Sequence, residues 1–70
     1  MREIRVWTKQ GDKWYIHQAD EYGQWLPPTD RWPVAPREGM GYREYKISNV
    51  IPTASDKFIV ELVPINQWTS

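Results

Sequence analysis

Apolar and polar residues alternate through the first eighteen positions of the chain. Ile4, Val6 and Thr8 fall on one side of an extended backbone, and Glu3, Arg5, Trp7 and Lys9 fall on the other. A period of two predicts a half-buried strand from Glu3 to Lys9. Gln10-Gly11-Asp12 interrupts the pattern, and Gly11 can take the positive φ that a tight turn needs. Alternation resumes at Lys13, with Trp14, Ile16 and Gln18 on one face and Lys13, Tyr15 and His17 on the other. The two runs predict a hairpin over 3–18.

Periodicity then stops. Asp20 and Gly23 suit a cap and a terminator, so one helical turn or a tight loop is expected there. The segment 25–41 holds four of the six prolines, two of the five tryptophans and two of the four glycines. Proline fixes φ and lacks an N–H, so this segment is expected to stay out of the sheet ladder. Trp25, Leu26, Trp32 and Val34 are apolar enough to dock it as an ordered crossover. A third strand is predicted over 42–51, with Arg43, Tyr45, Ile47, Asn49 and Ile51 on one face. A polar turn over 52–57 separates it from 58–65. That last run is apolar on both faces, with Phe58, Val60 and Leu62 opposite Ile59, Val63 and Ile65. Such a strand belongs in the middle of a sheet, and Pro64 should end its ladder. Trp68 in the tail is read as a plug.

These elements predict one domain over 1–70 of all-β class, or β-dominated with one short helical turn. Its architecture is a small antiparallel sheet or an SH3-like, partly open barrel. Two hairpins, 3–18 and 42–65, are joined by the Pro-rich crossover 25–41.

Size sharpens this picture. A 70-residue chain buries only about 60–65% of its unfolded surface, and small domains usually need a staple. There is no cysteine and a single histidine, which removes disulfides, thiolate metal sites and histidine clusters. What remains is aromatic packing from five Trp, four Tyr and one Phe, with oligomerisation as the other candidate. Nine basic and nine acidic residues cancel, which argues against a polyanion binder and against an acidic nucleic-acid mimic. Charges sit where a signal peptide needs an apolar run, so the expected location is cytoplasmic, with no membrane partner.

Candidate chemistry is sparse. His17 lies near Asp20 and Glu21, yet adjacent carboxylates on a turn do not converge on a substrate, and His17 reads as a strand residue at a solvent edge. Ser48, Ser55 and Ser70 stand in no nucleophile context. Gly39-Met40-Gly41 lacks the strand before and helix after that a phosphate loop requires. No catalytic residue, metal ligand or cofactor is expected, and the chain is read as not an enzyme.

Binding is the better expectation. Five tryptophans exceed what so small a core hides, so at least one of Trp7, Trp25, Trp32 or Trp68 is expected to be exposed. Pro33-Val-Ala-Pro36 is flanked by Arg31 and Arg37, which suits a stiff loop presenting an aromatic anchor beside an arginine. The expected contact residues are Trp25, Arg31, Trp32, Pro33 and Arg37, with Trp7 and Tyr15 on the sheet as the second choice. Trp7, Tyr15 and His17 beside Arg5, Lys9 and Lys13 suggest an alternative, a single-stranded nucleic-acid platform. The competing structural reading is a Trp7–Tyr15 cross-strand pair covered by lysine and arginine stems.

The opening Met1-Arg2-Glu3-Ile4-Arg5, followed by Trp7, Lys9, Lys13 and Tyr15, resembles the start of the phage-encoded YopX family. The resemblance covers under a quarter of the chain and implies a phage or mobile-element origin. The expected function is therefore a protein-binding accessory module that modulates or inhibits a larger host protein complex. The alternatives are a single-stranded nucleic-acid-binding β-barrel and a subunit of a homo-oligomer or virion.

Overall fold

The Gly11-Asp12 turn, with Gly11 at φ 67°, folds Glu3–Gln10 (β1) back onto Lys13–His17 (β2). In the computed structural model, which describes residues 2–67, four more strands extend this hairpin into a single curled sheet. They are Asp30–Trp32 (β3), Gly41–Tyr42 (β4), Tyr45–Ala54 (β5) and Lys57–Pro64 (β6). All neighbours are antiparallel and the order is β3-β2-β1-β6-β5-β4. A 3-10 turn, Ile65–Gln67, follows β6. The fold is all-β, a half-barrel compatible with a small open barrel. Trp68 lies outside the described residues.

β6 is central, paired with β1 on one edge and β5 on the other, and it buries Val60 and Leu62 on its inner face. Its ladder ends at Pro64, where the missing N–H leaves nothing to continue it. Asp20 organises the loop after β2. Its Oδ1 accepts from the N–H groups of Tyr22 and Gln24, both at 2.9 Å, and Gly23 turns the chain at φ 82°.

Three expectations are corrected. The crossover does enter the ladder, because Asp30–Trp32 pairs with β2. Pro28 and Pro33 stand just outside those three residues, so no ladder donor is lost. The span 42–51 is not one strand. Arg43, at φ 56°, and Glu44 make a tight turn between β4 and β5, and β5 runs on through Pro52 to Ala54. A register shift between Ile47 and Asn49 then carries Asn49 and Ile51 to the face opposite Tyr45 and Ile47.

The core occupies the concave inner face. Trp7, Trp14, Ile16, Tyr42, Ile47, Val60 and Leu62 are buried there, with Trp32, Ala35, Met40, Tyr45, Val50 and Phe58 packed against them. The crossover wraps around the β3 edge to reach them. At its start the carbonyl of Leu26 accepts from His17 Nδ1 on the outer face, at 2.9 Å. At its end Ala35 and Met40 close over the inner face, and Gly39 N–H donates to the Ile47 carbonyl at 2.8 Å. The prolines thus stiffen a strap that spans the open side of the half-barrel, from one edge strand to the other.

Candidate binding surface

The alternation that builds the first hairpin sends its aromatics to opposite sides. Trp7 is registered against Ile16 and Phe58, while Tyr15 is registered against Thr8 and Arg31. Trp7 is therefore an inner-face residue, 0% exposed. Its ring lies 5.8 Å from Trp32 and 5.9 Å edge-on to Tyr42, and its buried indole N–H has no hydrogen-bond partner among the described residues. The Trp7–Tyr15 cross-strand pair does not exist. The nucleic-acid platform is split for the same reason. Arg5, Trp7 and Lys9 belong to the inner parity of β1, and Lys13, Tyr15 and His17 to the outer parity of β2. Arg5 is also engaged. It donates to the Ile4 carbonyl at 2.9 Å and to Glu3 at 3.3 Å, with its guanidinium 6.0 Å from the Tyr45 ring centre.

Trp32 is not an outward anchor either. It is half-buried, 5.6 Å from Tyr42, and belongs to the inner cluster. Trp25 is 38% exposed and forms an isolated bridge with Ala19. Pro33 leaves β3 in the open, and Arg37 is exposed in a turn closed by Met40 N–H on its carbonyl. His17 is a fastener. Because the Leu26 carbonyl can only accept, Nδ1 carries the proton, and Nε2 lies 3.0 Å from the Thr8 hydroxyl.

Two constellations emerge that the sequence pattern did not single out. The first is a clasp between the two edge strands. Asp30 on β3 accepts from the Tyr42 hydroxyl and from Arg43 Nε at 3.0 Å through Oδ2, and from Arg43 Nη2 through Oδ1. The Arg43 hydrogen bonds hold the Asp30 carboxyl below the ordinary carboxylate range; burial opposes them and the Tyr42 hydroxyl assists. Burial pushes the Tyr42 phenol up, and its bond to Asp30 adds to that. The clasp thus ties β3 to β4 and the turn that follows it, with the Asp30–Arg43 ion pair at its centre.

The second constellation is a row across the outer face. Arg31 opposes Tyr15, Tyr15 opposes Thr8, and Thr8 opposes Lys57, one residue from each of β3, β2, β1 and β6. Lys13 lies two residues before Tyr15, on the same face. Beside the row is an open depression of about 350 Å³ lined by Tyr15, Pro28, Thr29, Asp30 and Arg31. A larger hollow, about 450 Å³, is lined at the far end by Glu44, Pro64, Ile65 and Asn66, with neither a cation nor an aromatic among its described lining residues. Of the expected contact residues, only Tyr15 and Arg31 are brought together in register. Lys57 could not be added from sequence, because its place depends on the β1–β6 pairing.

A comparison of the chain with protein-family models, curated proteins and solved structures returns no match. Among the described residues no cluster of three or more His, Asp or Glu could hold a metal ion, and no helix is long and apolar enough to cross a membrane.

Proposed function

We propose that this chain is a non-enzymatic protein-binding module, an accessory that docks on a larger protein assembly through the outer face of β2 and β3. The observation that carries this is the direct opposition of Tyr15 and Arg31 on the face away from the core, beside an open depression. Tyrosine and arginine are the residue types enriched where binding energy concentrates. Both sit on paired strands, so little ordering cost is paid on association. Trp25, Pro33 and Arg37 are exposed on the crossover, outside this pair.

The test is a pull-down from a bacterial lysate with three tagged forms: wild type, a Tyr15→Ala/Arg31→Gln double variant, and Trp25→Ala. A partner held by the wild type and released by the double variant supports the site. An identical catch from all three moves the site elsewhere. Tryptophan emission should not change on adding an oligo-dT strand; quenching that fades as salt rises would replace this reading with nucleic-acid binding.

A further inference from the structure

We infer that the partner segment is acidic and extended, laid across the strands of the outer row so that its carboxylates meet Arg31 at one end and Lys57 at the other. This rests on the protein-binding reading of the same face and names the chemistry it takes.

The cations of the row are free to accept such a partner. Ion pairs join Arg2 to Glu61, Arg5 to Glu3 and Arg43 to Asp30, and among the described residues none is seen at Arg31, Lys13 or Lys57. Asp30 is the carboxylate next to Arg31 in sequence, but alternation points it to the inner face, where Tyr42 and Arg43 occupy it. Glu61 shares the outer face with Lys57 but lies four residues along β6 and faces Arg2 at 3.9 Å. Asp12 and Asp56 sit in the two turns at this end without pairing with any of the three cations. Among the described residues, the sheet thus gathers three cations without an ion-pair partner around one tyrosine, on a chain whose net charge is zero.

Spacing suggests how a segment fits. Strands lie about 4.8 Å apart, so β3 and β6 are separated by about 14 Å. An extended peptide rises about 3.3 Å per residue with alternate side chains on one side, so carboxylates four residues apart span about 13 Å. The residue midway between them would lie between Tyr15 and Thr8, at the edge of the Tyr15 ring, and Pro28 lines the depression beside Tyr15. A nucleic-acid strand fits less well. It needs several stacking surfaces, and this row offers one ring, since Trp7 is turned into the core.

The experiment is selection of a displayed library of random nonapeptides on the wild-type protein at low salt, with an oligo-dT strand assayed in parallel. The expected result is enrichment of Asp or Glu at two positions four apart around an apolar or aromatic residue. Binding of a selected synthetic peptide should weaken by about fivefold to tenfold in the Arg31→Gln/Lys57→Gln variant, as two exposed charge pairs would predict. That difference should shrink when salt is raised to about 0.5 M, and Arg37→Gln should bind as wild type. Peptides without acidic enrichment, no selected peptide at all, or affinity indifferent to the double variant would each overturn the inference. So would oligo-dT displacing the peptide from Tyr15 and Arg31. If the lysate partner is still lost on substituting Tyr15 and Arg31 while acidic peptides fail, only this inference falls. If no partner is captured either, the protein-binding reading falls with it.

Discussion

The two faces of one sheet are built from the same alternating strands, yet they use their aromatic and charged residues in opposite ways. On the inner face Trp7, Trp14, Trp32, Tyr42 and Phe58 meet ring to ring at 5.4–5.9 Å, and the clasp of Asp30 with Tyr42 and Arg43 draws the edges together. On the outer face Tyr15 stands among Arg31, Lys13 and Lys57 with no carboxylate engaged. The inner face carries the ring packing and the clasp; the residues of the outer row take no part in that cluster. In a chain this short, aromatic packing takes the place of disulfides, and the rings left outside are few.

The comparison breaks most sharply at Trp7. Trp7→Ala removes a ring that is 0% exposed and contacts Trp32 and Tyr42, and should cost about 3–5 kcal/mol, most of the stability of so small a domain. Urea denaturation followed by circular dichroism measures it. A cost below about 1 kcal/mol would mean that the inner cluster is not the core.

The clasp comes next. Asp30→Ala leaves the Tyr42 hydroxyl without its acceptor and frees Arg43. The expected loss is about 1–2 kcal/mol, toward the lower figure because the guanidinium is exposed and screened. Arg43→Gly separates two effects, since it removes the same ion pair while relieving the positive φ at that turn. It should therefore be the milder of the two variants in the same denaturation assay.

The clasp also sets a pH signature. Asp30 is held below its ordinary range, so its contribution is complete above that range and is lost as acid protonates the folded carboxylate. Tyr42 is pushed up, so its contribution is complete below the ordinary tyrosine range and is lost as the pH rises through its folded value. Thermal melts across the pH scale should show both limbs in the wild type. In Asp30→Asn the acid limb should be shallower, and an unchanged acid limb would remove Asp30 from the account.

The smallest effect is expected on the outer row. Tyr15→Ala should cost under about 1 kcal/mol and Arg31→Gln should stay within about 0.5 kcal/mol of wild type, while both weaken partner capture. Loss of folding in Arg31→Gln would show that the two faces are not separable.

Much of this molecule is legible in its sequence. The alternation around Gly11 gave the first hairpin, because a period of two can serve only a strand and a glycine tolerates the turn. The doubly apolar run ending at Pro64 marked the central strand β6. The prolines misled in one respect. Their missing N–H groups predict that the whole crossover stays out of the sheet, whereas three of the four residues between Pro28 and Pro33 suffice for an edge strand. The Arg43-Glu44 turn was hidden, since Tyr-Arg-Glu-Tyr carries no glycine or proline and its positive φ falls on an arginine.

Local sequence determined which residues alternate, where the chain turns and that aromatic rings had to replace other staples, because those properties depend on neighbours along the backbone. It could not determine which face of β1 would become the interior. That was decided when β6 paired with β1 and the strap crossed the open side, burying Trp7 and leaving Tyr15 out. The clasp and the cationic row belong wholly to that second level. Asp30 meets Arg43 across thirteen positions, and Arg31 is aligned with Lys57 through two intervening strands. Side chains this far apart come together only through strand register, and long-range pairing sets that register.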